Sequence, residues 1–227
     1  MKTSRRQCLI ALGAGAGLSF ASLSTHAGSF DDFFTAIRRN DASTIQALIR
    51  RGFDPNTVDE SGQPGLMMAV DLQSVRAVEA LLSAPNIQAE VRNKKGESAL
   101  MLCAIRGDLV LAKLLIEHDA DVNKTGWTPL HYAASGTSQN QVEMVRLLLD
   151  NAAYIDAASP NGSTPLMMAA MYGRSDVLKV LIEEGADASL RNEKGLTAID
   201  FAQQVGRTAN VEAIAAALRA RQPRGSW

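Results

Sequence analysis

The chain has 227 residues, 46% of them hydrophobic, 21% charged and 5% aromatic, with a formal net charge of −1. That apolar content at so small a net charge excludes a disordered chain, and near-neutrality leaves no broad basic field to hold nucleic acid. Two cysteines (Cys8 and Cys103) are too few for a disulfide framework, and three histidines leave little material for a metal centre, so no cofactor is expected.

Residues 1–27 read as an export signal: a basic start with Lys2, Arg5 and Arg6, an uncharged run from Leu9 to Leu23, and small residues Thr25 and Ala27 placed for cleavage. The competing reading is a buried first helix, against which stands the glycine-alanine alternation of residues 13–17, a poor helix interior. Ser4 to Leu9 resembles the twin-arginine signal, although Cys8 and Ile10 stand where Phe and Lys are usual, so the general secretory route stays open. The expected location is a bacterial periplasm. Starting from Gly28, 20 basic residues face 24 acidic ones, a net charge of about −4, and Cys103 is the one cysteine left. No apolar run after residue 27 is long enough to span a bilayer.

The rest of the chain repeats itself. Residues 30–61 carry Ile45, Leu48 and Ile49 at helical spacing, then Gly52 to Asn56. Five segments follow in register, opening at Gly62, Gly96, Gly126, Gly162 and Gly195, spaced 34, 30, 36 and 33 residues apart. They define units over 62–95, 96–125, 126–161, 162–194 and 195–219, six units in all, ahead of a flexible tail over 220–227. Arg219, Arg221 and Arg224 read as solvated.

In the unit from Gly162, Thr164 is placed as an N-cap and Pro165 as the first helical residue. Leu166, Ala169 and Ala170 give the first helix a small-residue apolar face, and Gly173 ends it. Val177, Val180, Leu181 and Ile182 stripe the second helix, which Gly185 stops. The stripe recurs as Val75, Val78, Leu81 and Leu82, as Leu111, Leu114 and Leu115, and as Val145, Leu148 and Leu149. The 30-residue interval lacks about three residues between Asp121 and Gly126, a shortened turn. The 36-residue interval gains about three between Ala134 and Met144.

These units resemble the ankyrin repeat, whose signature Thr-Pro-Leu-His-x-Ala is matched fully at residues 126–134 and, with Met167 for His, at 162–170. The resemblance implies an all-α solenoid of helix-turn-helix units with β-turn fingers, acting as a non-catalytic protein-binding scaffold. Its partners would dock on the concave side. The positions the resemblance leaves exposed there are Glu97, Trp127, Ser163 and Leu196 after the leading glycines, then Asp71, Leu72, Ile105, Arg106, Ser135, Met171 and Tyr172 after the first helices. The expected partner site centres on Trp127, Met171, Tyr172 and Ile105, with Arg106, Leu72, Ser135 and the 135–141 loop around it, because Trp and Tyr dominate interface energies.

A hydrolase or redox enzyme using Cys103 or His131 is the alternative. Against it, Cys103 fills an alanine slot between helices, and the family histidine hydrogen-bonds to its own and the neighbouring turn. The sequence is similar to small exported bacterial ankyrin proteins, some associated with stress defence beside periplasmic catalases, others immunity partners of toxic lipase effectors. The implied partner is another, periplasmic, protein. Neither nucleic acid nor a membrane is expected as a partner, and the chain alone is expected to be a monomer.

Overall fold

The computed structural model describes the backbone of residues 20–221 and the side chains of residues 28–221. Among the described residues the chain forms six consecutive helix pairs: α1 (Phe20–Arg38) and α2 (Ala42–Arg50), α3 (Gly65–Asp71) and α4 (Val75–Leu82), α5 (Ala99–Arg106) and α6 (Leu109–Glu117), α7 (Pro129–Ser135) and α8 (Gln141–Asp150), α9 (Pro165–Met171) and α10 (Ser175–Glu183), α11 (Ala198–Gln204) and α12 (Thr208–Arg221). The first helices α3, α5, α7, α9 and α11 stack on one another, and the second helices form a second row behind them. Alanines on the first helices (Ala69, Ala104, Ala134, Ala170, Ala202) are fully buried, and their small side chains let the helices approach closely. Leu66, Leu100, Leu130 and Leu166 join Leu81, Leu115, Leu148 and Leu181 from the second row in one continuous core.

Local sequence fixes the helix starts. Ser98, Thr128, Thr164 and Thr197 are N-caps whose hydroxyls accept the backbone N–H of Met101, His131, Met167 and Asp200. Pro129 and Pro165 follow at the first helical position. Unit two has Pro64 at the cap and no such bond.

Four of the fingers close alike. The N–H of Asp59, Asn93, Ser159 and Asn192 donates to the carbonyl four residues on (2.9–3.0 Å), across a glycine in the left-handed region. The finger before α7 differs. Asn123 takes the place of Asn56: each clamps the next turn, Asn56 through Asn86 O and Gln88 N, Asn123 through Ala152 O (2.6 Å) and Tyr154 N (2.7 Å). Only two residues, Lys124 and Thr125, then lie between Asn123 and Gly126, against five between Asn56 and Gly62, so the residue that closes the other fingers is among those deleted.

The insertion between α7 and α8 is held by a buried glutamine. Gln141 Nε2 donates to Ala104 O (3.0 Å) and Ala133 O (2.8 Å), satisfying carbonyls near the ends of two first helices.

Helix α1 begins at Phe20, inside the segment read as an export signal, and residues 1–19 of that segment lie outside the described residues. Among the described side chains of α1, those of Phe33, Phe34, Ala36 and Ile37 are buried. Two expectations are corrected. First, Gly173 does not end α9 through a left-handed φ. It is needed because a Cβ there would collide with the Ala134 carbonyl oxygen. Second, Arg221 is tied down: α12 reaches it, and it donates to Gly185 O (2.7 Å) and lies 3.8 Å from Asp187 Oδ1, because the last helix covers the preceding turn. Residues 222–227, with Arg224, lie outside the described residues.

Candidate protein-binding face

On the face made by fingers and first helices, α5, α7 and α9 enclose a cavity of about 200 Å³ lined by Ile105, Trp127, His131, Tyr132, Ser135 and Met168. Trp127 precedes the N-cap Thr128, at the position where the other fingers accept their closing hydrogen bond. The shortened finger makes no such bond among the described residues. The indole is half-buried and packs edge-on against the His131 ring, with centroids 5.3 Å apart. Trp127 therefore both rests on its own stack and walls the cavity.

His131 forms the floor. It is 1% exposed; Nδ1 accepts from Thr128 N (3.2 Å), so Nε2 carries the proton and donates to Ser163 O (2.9 Å). Burial holds the imidazole below the ordinary histidine value, so the ring is neutral with both nitrogens engaged. Tyr132 donates its hydroxyl to Glu97 Oε1 (3.3 Å), and burial, then the Glu97 carboxylate, push the phenol up to about 12. Asn93 Nδ2 donates to the other oxygen of Glu97 at 2.8 Å.

The predicted site residues separate into groups. Trp127, Ile105 and Ser135 share the cavity, although the Ser135 hydroxyl turns back to His131 O (2.8 Å). Met171 is half-buried against the core. Tyr172 and Leu72 are each 50% exposed at the ends of α9 and α3. Arg106 bridges back to the preceding unit, donating to Asp71 Oδ1 (2.6 Å) and Val70 O (3.2 Å), and does not line the cavity. Ser163, expected exposed, is fully buried, because its carbonyl receives His131 and its N–H is wrapped by Ser159 Oγ (3.0 Å). Of the 135–141 loop, Gln141 is buried rather than at a rim.

Two wall residues were not singled out from sequence, Tyr132 and Met168; their charged neighbour Glu97 was among the positions expected on this face. Met168 stands one after Met167, which takes the His131 place; that offset is the available signal. Cys103 is fully buried, and desolvation pushes its thiol well above the usual range. A thiol held protonated and walled in has no nucleophile to offer. His118 is exposed at the C-cap of α6. Asp54, Asp121 and Asp187 accept the backbone N–H two residues on, in turns. Among the described residues no group of three His, Cys, Asp or Glu is placed to hold a metal.

The model of the family described as ankyrin repeats (3 copies) matches residues 66–159 and 137–221. The chain belongs to the ankyrin-repeat family. Among curated proteins it is 32% identical over 155 residues to the mouse B-cell lymphoma 3 protein homolog, covering 65% of this chain and 34% of that protein. The chain thus spans about a third of that relative's length. Among solved structures it resembles a chain in the complex of a predatory endopeptidase from Bdellovibrio bacteriovorus with an immunity protein, at TM-score 0.68 and 29% identity, covering 82% of this chain and 97% of that one. An ankyrin repeat domain from Acinetobacter baumannii matches at TM-score 0.71 and 22% identity over 82% of this chain and 96% of its own, a likeness of fold. Ankyrin-repeat proteins are protein-binding scaffolds, and bacterial examples of this size share the fold.

Proposed function

We propose that this protein is exported to the periplasm and acts there, without catalysis of its own, as an immunity-type partner that docks on an enzyme of the cell envelope through the face around Trp127. The observation that carries this reading is the cavity of Ile105, Trp127, Tyr132 and Met168. Apolar and aromatic walls around an unfilled concavity are what a partner side chain needs to be desolvated. The likeness to a chain of the endopeptidase–immunity protein complex, across nearly all of that chain, favours this role over a stress-defence role.

Export is supported by the basic start, the uncharged run and the small residues before Gly28. Processed protein begins at Gly28, and the chain alone is a monomer.

Osmotic-shock fractionation with intact-mass analysis tests the location. Protein beginning at Gly28 in the periplasmic fraction is expected; an intact Met1 start in the cytosol contradicts it. Affinity purification from periplasmic extract, with mass identification of what elutes, tests the role. An envelope hydrolase retained by the wild type and lost on Trp127→Ala is the supporting result, and the absence of any such enzyme counts against it.

A further inference from the structure

Glu97 has hydrogen-bond donors but no cation. Beyond Tyr132 and Asn93, no Lys or Arg among the described residues comes within ion-pairing distance of its carboxylate. The nearby arginines are committed elsewhere. Arg92 donates to Glu90 and to Gly96 O, and Arg106 to Asp71 and Val70 O. Lys94 and Lys95 stand exposed at the finger tip, with the Lys94 chain lying toward Gly62 of the preceding finger. The wall that links Glu97 to the cavity is Tyr132 itself, and beyond it lie the Trp127 ring, Ile105 and Met168. The floor, His131, is neutral; the Arg92 charge is felt at the Tyr132 hydroxyl, but its guanidinium is held by Glu90 and Gly96 O.

We propose that the cavity takes an arginine side chain of the partner protein, its stem and guanidinium plane against Trp127 and Tyr132 and its N–H groups on Glu97. The proposal rests on the reading of this face as the docking surface and names the chemistry that fills it. An arginine suits the surroundings on three counts: its flat faces stack on aromatic rings, it is weakly hydrated, and its fork matches a carboxylate. A purely apolar side chain would instead desolvate an uncompensated anion. A lysine ammonium would lose more hydration to enter. The chain's own charge, −1 overall, does not repel a basic partner.

Replacing Trp227 by Phe leaves Trp127 as the only indole, so its fluorescence reports on the cavity. Three probes are titrated: N-acetyl-arginine amide, its neutral isostere N-acetyl-citrulline amide, and N-acetyl-norleucine amide. The arginine probe is expected to bind roughly tenfold more tightly than either other probe. Glu97→Gln, which keeps an acceptor for Tyr132 and Asn93, should erase that preference while leaving the melting temperature unchanged.

Equal binding of norleucine and arginine, a preference that survives Glu97→Gln, or no response to the arginine probe would each overturn the proposal. Partner capture separates the two levels. If Trp127→Ala abolishes capture while the probes show no arginine preference, the docking surface stands and the arginine anchor falls. If capture survives Trp127→Ala, both fall.

Discussion

At the residue scale, one position shows how a single side chain adapts a common frame. In α5, α7, α9 and α11 the third helical residue reaches back to the N-cap N–H. Met101 and Met167 do so with sulfur (3.4 Å each), Asp200 with a carboxylate oxygen (2.7 Å), and His131 with Nδ1 (3.2 Å). Only His131 also reaches the next unit, through Ser163 O, and of the four only it changes charge near neutral pH. Its folded-state value lies below the ordinary 6.5, so the folded protein binds fewer protons than the unfolded chain below that pH. The stability that depends on the neutral ring is therefore complete above about pH 6.5 and is lost as pH falls toward the folded-state value. His131→Met should fold, lose about 1 kcal/mol with the Ser163 bond, and flatten the decline of melting temperature as pH falls below about 6.5. An unchanged decline would show that another group carries it.

A second residue-scale prediction concerns backbone strain. Gly52 and Gly185 end second helices with positive φ; at the matching places Asp119 and Ala152 adopt φ of 62° each. Alanine there has no local hydrogen bond to offset the crowding of its Cβ. Ala152→Gly should raise stability by about 1 kcal/mol in denaturant melts, and a loss of stability would contradict this reading.

At the element scale, two irregular connections shape the face. The shortened finger frees Trp127 from the turn geometry that holds Gln63, Glu97, Ser163 and Leu196 in their fingers. The lengthened loop after α7 is held by Gln141, whose amide fills the space beside Gly136 and Gly107 where side chains would collide. Gln141→Ala should cost on the order of 1–3 kcal/mol, because it removes two buried hydrogen bonds and leaves the carbonyls of Ala104 and Ala133 with only the longer backbone bonds from Gly107 and Gly136. A melt within error of the wild type would show that other donors replace it.

Both irregularities were legible in the sequence as breaks in spacing, and the caps Thr128, Thr164 and Thr197 as a motif. Their consequences were not. The burial of Ser163 and the Tyr132–Glu97 contact both arise between groups more than 30 residues apart, brought together by stacking. A pattern read within one unit carries no trace of its neighbour's side chains. The same holds for Arg106, whose partner Asp71 sits one unit back.

At the scale of the whole molecule, six helix pairs share one continuous core, and each pair touches its neighbours rather than distant ones. Damage in the middle should therefore reach both sides. Leu148 is fully buried in α8, and Leu148→Ala should cost on the order of 2–5 kcal/mol, with amide exchange quickened in the flanking units. Loss confined to α7 and α8 would contradict a cooperative stack. The same architecture puts α5, α7 and α9 side by side, which is what gathers Ile105, Trp127, Tyr132 and Met168 from three units into one cavity.

The central claim is that this cavity carries partner binding. Its most direct test is the affinity of the purified partner for wild type and for Trp127→Ala, measured by calorimetry beside the melting temperature of both proteins. Expected is a loss of roughly 2 kcal/mol or more in binding with the variant still folded and its melting temperature little changed. Normal binding by the variant, or unfolding that accompanies the lost binding, would contradict the claim.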